Sequence, residues 1–336
     1  MTAPDRAALE RLTSAAGLGP VCDLVPLAGG ANNRVFRVET ATGPALLKAY
    51  FRHPDDPRDR LGAEFAFARF AWSAGVRCIP QPLACDPDAG LGLFEFIDGG
   101  ALTDVSESAV EQAVEFVQAL NAARWRPAAA RLPNASEACF STAEHLGTVA
   151  RRVDRLAEEA DGQAGAFARR ELLPAWERIR NGASDSGLSL DRPLEPTARC
   201  VSPSDFGFHN ARVQPDGRVC FLDFEYAGWD DPAKLVCDFF CQPAVPVPPR
   251  FFEPFARAVA AAFPEPAAVL ARARLLLPVY RVKWVCILLN EFLPSGNRRR
   301  AFSLSAGELA HRKARQLARA RTALAAIQQH PERISA

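Results

Sequence analysis

Asp205-Phe206-Gly207-Phe208-His209-Asn210, followed a little further on by Phe221-Leu222-Asp223-Phe224-Glu225, decides how the rest of this chain is read. Asp205 and Asn210 stand in a stretch with neither helical nor strand periodicity, and Asp223 closes a short apolar run. Together they offer one proton acceptor and two oxygen ligands suited to Mg²⁺. Phosphoryl transfer needs such parts, because its catalysis is mostly positioning and neutralisation of charge. Asp and Asn are also common turn formers, so the reading gains its weight from what precedes them.

Upstream, Lys48 lies alone among Ala45, Leu46, Leu47 and Ala49 on a strand-like run. The forty Lys and Arg residues include just four lysines, Lys48, Lys234, Lys283 and Lys313, so a lysine in an apolar strand is not surface filler. An ammonium there can neutralise nucleotide phosphates, with Glu64 on the next helix as its ion-pair partner. The alternative is an edge-strand lysine with its head in water. Before it, Gly29-Gly30-Ala31-Asn32-Asn33 joins two strand-like runs. Its small residues allow backbone N–H groups close to phosphate oxygens, although a plain hairpin turn has the same composition. Leu93–Ile97 leads into Asp98-Gly99-Gly100, either a hinge whose backbone can meet a flat base or a simple linker.

The organisation along the chain agrees with this order. Strand patterns cover 22–27, 34–39, 45–50, 81–85 and 92–97, and a helix between Asp56 and Ala74 presents Leu61, Phe65, Ala68 and Trp72 on one face until Gly75 ends it. Beyond residue 98 the pattern is mostly helical, with Ser106 as an N-cap, helices within 141–160 and 163–180, a hairpin around Pro215-Asp216-Gly217, a connector at 243–249 and a last helix over 305–329. The expected class is α+β: a small antiparallel-sheet lobe with one helix over residues 1–98, and a larger, mostly helical lobe over 99–336.

Composition excludes several other classes. The 336 residues carry a formal charge of +1, which argues against coating nucleic acid or an anionic membrane surface. No run of 18 apolar residues exists, and the charged opening (Asp5, Arg6, Glu10, Arg11) lacks a signal-peptide core, so a cytoplasmic protein is expected. Nine cysteines without a C-x-x-C pair read as buried, reduced thiols. No Gly-Lys pair, G-x-S-x-G or G-x-G-x-x-G occurs, and the five histidines lack metal-ligand spacing.

Taken in order, Gly29-Gly30-x-x-Asn33-Arg34-Val35-Phe36-Arg37-Val38, Lys48, Asp205-x-x-x-x-Asn210 and Asp223-Phe224-Glu225-Tyr226-Ala227-Gly228-x-x-Asp231-Pro232 resemble the aminoglycoside phosphotransferase and choline kinase-like superfamily, from about Leu24 to Asp238. The resemblance implies a two-lobed, protein-kinase-like fold that uses ATP and Mg²⁺ on a small-molecule acceptor. It implies a nucleotide site of Gly29, Gly30, Asn33, Lys48 and Glu64, with the backbone of Glu95 and Ile97 against adenine. Asp205 would be the catalytic base, Asn210 and Asp223 the Mg²⁺ ligands, and Asp238 a support for the catalytic loop. A helix bearing Tyr280, Lys283, Trp284 and Glu291 would border the acceptor.

The chain departs from the family in two places. Pro203-Ser204-Asp205 replaces the usual His-Gly-Asp, with Ser202 or Ser204 as stand-ins for the histidine. Phe208-His209 replaces Pro-Gly, and this bulk is expected to crowd the acceptor site. The expected activity is an ATP/Mg²⁺-dependent phosphotransferase acting on a hydroxyl of a sugar, amino sugar or amino alcohol. The departures leave a nucleotide-binding pseudokinase with a regulatory or scaffold role as the alternative. The arginine-rich C-terminal half argues against a polycationic aminoglycoside as the acceptor.

Overall fold

Short apolar runs separated by turns form an antiparallel sheet because strict alternation lets each strand bury one face. In the computed structural model, which describes residues 4–27, 33–52, 58–294 and 306–329, these runs become β1 (Val21–Leu27), β2 (Asn33–Thr40), β3 (Gly43–Tyr50), β4 (Pro82–Asp86) and β5 (Leu91–Glu95). Their order is β1-β2-β3-β5-β4, every neighbouring pair antiparallel. Helix α1 (Arg6–Ala15), capped by the Asp5 carboxylate, lays Ala8, Leu9 and Leu12 on Phe36, Val38, Ala45, Leu47, Ala49 and Leu93. On β3 the alternation therefore turns Ala45, Leu47 and Ala49 toward that cluster and leaves Leu46, Lys48 and Tyr50 for the opposite face.

Helix α2 (Arg60–Ser73) is capped by Asp59 and followed by Gly75 at φ +85°, a conformation that favours glycine. It buries Leu61, Glu64, Phe67, Ala68, Phe70 and Ala71 while Phe65 and Trp72 are half-buried, so the single face read from its spacing is too narrow. Burial around most of its girth erases the amphipathic pattern, and Arg60 and Glu64 stand out as buried polar residues.

The chain divides into two compact units, residues 1–138 with 200–230, and 139–199 with 231–336. The first also holds β6 (Gly100–Ala101), α3 (Glu107–Leu120), a short α4 (Arg126–Ala129), β7 (Cys200–Ser202), β8 (Ala211–Val213), β9 (Val219–Phe221) and β10 (Gly228–Asp230). Strands β6-β8-β9 form one small sheet and β10-β7 another, the β8–β9 turn being the expected hairpin. Gly228 is required by close approach: an added Cβ would lie 2.3 Å from the Pro133 carbonyl oxygen.

The second unit is helical: α5 (Thr142–Glu159), α6 (Gly162–Phe167) continuing through a π-helical turn (Ala168–Leu172) into α7 (Leu173–Ser184), α8 (Pro232–Cys241), α9 (Phe252–Ala260), α10 (Pro266–Leu288) and α11 (Ala306–Gln329). Helix α10 packs against α5, α7, α8, α9 and α11. All nine cysteines are free thiols; burial pushes Cys220 and Cys286 up to about 12, whereas Cys22, against expectation, is exposed because β1 turns it outward. No helix among the described residues is long and apolar enough to cross a membrane.

A buried polar knot fastens α5, α8 and α10. His145, fully buried, places Nδ1 2.6 Å from the Tyr280 hydroxyl and Nε2 3.2 Å from Asp231. Asp231 caps α8 through the Ala233 N–H at 2.8 Å and takes both ends of the Arg272 guanidinium at 2.8 Å. Burial opposes charge on His145, but Asp231 and Cys139 outweigh it and push the imidazole up to about 9. Burial likewise works against the Asp231 carboxylate, which His145 and Arg272 hold far below its ordinary range. A folded-state value raised above 6.5 gives stability that is full below about pH 6.5 and lost as pH rises through about 9. The stability difference between wild type and His145→Gln, read from urea melts, should therefore shrink across that window; a difference independent of pH contradicts a charged His145.

Candidate active site

The alternation of β3 and one turn of α2 create the centre of this site. Lys48 Nζ lies 2.6 Å from Glu64 Oε1 and 2.9 Å from Asp223 Oδ1, and the Tyr50 hydroxyl, two residues along the same strand face, donates to Glu64 Oε2 at 2.5 Å. Lys48, on the central strand of the sheet, is 6% exposed, which rules out the edge-lysine alternative, and Glu64 on α2 is 3% exposed. Burial disfavours the ammonium, yet Asp223 and Glu64 together hold Lys48 above its ordinary range. Burial pushes Glu64 up and Lys48 pulls it back, while burial and the Glu64 charge drive the Tyr50 phenol upward.

Residues 223–225 are held at each position in turn. Asp223 adopts φ +66°, a left-handed backbone unusual for a residue with a side chain. Its carboxylate meets Lys48, the Phe224 N–H donates to Glu64 Oε1 at 3.3 Å, and Glu225 Oε2 accepts from Asn33 Nδ2 at 2.7 Å. Phe224 is buried against Phe67 with ring centroids 4.6 Å apart. Arg60 approaches Glu225 to 3.6 Å, and both are nearly inaccessible.

The loop bearing Asp205 is anchored at its entry. The Asn121 side chain bonds both backbone groups of Val201, accepting at 2.7 Å and donating at 3.0 Å, and so completes the hydrogen bonding of β7. Ser202 Oγ then accepts the Ser204 N–H at 3.0 Å, across a Ser204 that is itself left-handed at φ +65°. Phe206 and Phe208 turn inward onto Phe221, with Phe116 stacked on the same ring at 4.7 Å. The expectation that Phe208 crowds the acceptor is thus corrected: at 1% exposure it is core, packed with Phe206 on Phe221. Asp205 stays about a third exposed. Asn210 donates to the Asp205 carbonyl oxygen at 2.9 Å and its carboxylate at 3.4 Å, and the Asn210 carbonyl accepts the Leu222 N–H at 2.8 Å, tying this loop to Asp223.

Of the residues singled out in the sequence, Lys48, Glu64, Asp205, Asn210 and Asp223 are thereby linked in one network. Gly29 and Gly30 lie outside the described residues; Asn33 opens β2 with its amide committed to Glu225. Glu95 ends β5, exchanging hydrogen bonds with Gln81, and Ile97 follows outside any regular element. Asp238 sits in the second unit on α8, 3.6 Å from Lys234 and 3.5 Å from Lys283. There, Tyr280 belongs to the His145 knot and Glu291 pairs with Arg312. Tyr50, Arg60, Glu225 and His209, whose Nε2 lies 3.4 Å from Asp205, complete the site without having been assigned roles. For Tyr50, the signal present was its place two residues from Lys48.

A narrow cleft of about 20 Å³ lies at Lys48, lined by Leu46, Ala68, Pro80, Phe94 and Asp223. Its walls are mostly apolar around one buried ammonium. Asp223, 37% exposed, and the Asn210 amide are hard oxygen donors, and two such donors fit Mg²⁺, which keeps waters and shares phosphates instead of filling a protein cage.

A family model for phosphotransferase enzymes matches residues 23–269, which is more than half of the chain. The chain belongs to this family. Solved structures share the fold across nearly the whole length at low identity. Choline kinase LicA from Streptococcus pneumoniae aligns with a TM-score of 0.58 at 15% identity, covering 96% of this chain and 98% of that one. The gentamicin complex of APH(2")-IIa gives 0.58 at 14%, covering 96% and 97%. Macrolide 2'-phosphotransferase MphH from Brachybacterium faecium gives 0.51 at 18%, covering 95% and 97%. No curated protein matches by sequence. The fold is the α+β, kinase-like one expected, an antiparallel sheet followed by a helical region.

Removing Lys48 strands a buried carboxylate, because among the described residues Glu64 then keeps the Tyr50 hydroxyl and the Phe224 N–H and no cation. Lys48→Met should lower stability by about 3 kcal/mol, as breaking buried ion pairs does. Combining it with Glu64→Gln should recover part of that loss in denaturant melts; strictly additive losses would show that the two charges do not depend on each other.

Proposed function

We propose that this family member is an ATP- and Mg²⁺-dependent phosphotransferase acting on a hydroxyl of a small molecule. The observation that carries the reading is the network joining the Lys48–Glu64–Asp223 triad, through Leu222 and Asn210, to Asp205. Lys48 supplies a fixed charge for nucleotide phosphates, and Glu64 keeps it from swinging away. The backbone of Glu95 and Ile97 meets the base, and Gly29, Gly30 and Asn33 belong to the phosphate turn. Asn210 and Asp223 would hold Mg²⁺, which when bound supplies neutralisation of phosphate charge. Asp205, partly exposed and restrained by Asn210, accepts the proton of the attacking hydroxyl. In this reading residues 1–98 form the nucleotide lobe and 99–336 the lobe that receives the acceptor.

Relatives in fold named for choline, gentamicin and a macrolide suggest an acceptor among sugars, amino sugars and amino alcohols. The pseudokinase alternative arose from the missing loop histidine. Support for catalysis over that alternative comes from the Asn121 and Ser202 anchors, which restrain the loop by other means, and from Phe208 packing inward.

The test is ADP release over a panel of hydroxyl-bearing metabolites, with wild type and Asp205→Asn side by side. For the acceptor found, Asp205→Asn should lower kcat by about a thousandfold, within the range set by general bases. A loss below about tenfold removes Asp205 as the base. Nucleotide binding without transfer to any acceptor would favour the pseudokinase.

A further inference from the structure

Glu225 lies two residues beyond Asp223, is 5% exposed, and is unused in the chemistry above. Its bond to Asn33 spans 192 positions of sequence and joins the first residue of β2 to the segment carrying the metal-binding aspartate. Asn33 pairs across the sheet with Tyr50, Tyr50 donates to Glu64, Glu64 holds Lys48, and Lys48 holds Asp223. The Asn33–Glu225 bond closes this path into a ring. Residue 223 is then gripped from both sides while in a left-handed conformation that an aspartate does not favour.

Two details suit a functional latch better than incidental packing. The Asn33 side-chain oxygen is buried without a hydrogen-bond partner among the described residues, so this amide is turned toward Glu225 at the expense of its own acceptor. Arg60, 2% exposed and 3.6 Å from Glu225, meets the same carboxylate from α2, so sheet and helix converge on one side chain.

We infer that Glu225 is a positioning residue: by latching onto Asn33 it sets the Asp223 carboxylate for a divalent cation and couples the binding of that cation to the binding of nucleotide at Lys48. The inference rests on the nucleotide and metal sites proposed above. Coupling of this kind is reciprocal: whatever tightening Mg²⁺ gives to ATP, ATP gives to Mg²⁺.

Titration calorimetry of the full chain with ATP, in EDTA and in Mg²⁺, tests it without relying on turnover. Glu225→Met keeps the length and loses the acceptor; Glu225→Gln keeps an oxygen for Asn33; Asn33→Ala removes the donor. Glu225→Met and Asn33→Ala should each reduce the Mg²⁺-dependent gain in ATP affinity by about tenfold, and the double variant should lose no more than either alone. Glu225→Gln should keep most of the gain. A mere packing role would lower the melting temperature of Glu225→Met and leave the Mg²⁺ gain intact, which overturns the latch. A Gln variant as impaired as Met, or losses that add in the double variant, overturns it as well. A wild type that binds no nucleotide under any condition overturns the phosphotransferase reading itself, whereas a wild type that binds and variants that match it overturn the latch alone.

Discussion

The structure of the first unit depends on one ammonium ion kept away from water. Lys48 is almost wholly buried, and a charge in such a place persists only where opposite charges meet it. Glu64 and Asp223 meet it from a helix and from the end of a strand pair far away in sequence. The three elements are held in register by the ion group as much as by the apolar faces around it. The excess of two carboxylates over one ammonium leaves net negative charge beside an opening, and Asp223 is the partly exposed member. That residual charge is what the divalent cation of the proposed reaction would neutralise.

The sequence made the components readable and left their assembly hidden. Lys48 was legible because it is a lone cation in an apolar strand, and Asp205, Asn210 and Asp223 because their spacing is specific. Tyr50 and Glu225 are marked only by standing two residues from Lys48 and Asp223: their roles come from cross-strand register and from a contact 192 residues apart. Phe208 misled because a bulky loop residue gives no sign of which way it turns, and here it packs on Phe221 in the core. Helix α2 misled in the other direction, since burial on most sides leaves no polar face for periodicity to detect.

The second unit solves a similar problem with different parts. Asp231 gathers a histidine and an arginine and caps a helix, and Asp238 stands between the two lysines Lys234 and Lys283. Asp231 is the N-cap of α8 and Asp238 lies within that helix; the sequence suggested a supporting role for Asp238 but not these partners. Three of the four lysines are buried against carboxylates, and Arg60 and Arg272 meet buried carboxylates in the same way.

Backbone strain tells the same story from another side. Among the described residues, Glu137, Ser204 and Asp223 have positive φ without being glycine, and two of the three flank the proposed chemistry. Glycine would satisfy the backbone at residue 223 but would supply no carboxylate. Aspartate supplies it and tolerates the left-handed region better than most residues, yet at a cost of about 1–2 kcal/mol. Something must hold the chain there, and the side chain of 223, the N–H of 224 and the side chain of 225 are each bonded to a different residue of the sheet and helix. Ser204 is treated likewise, with its N–H on Ser202 and the strand before it sealed by Asn121. In both short loops the restraints fall where the backbone takes a conformation it would not choose by itself.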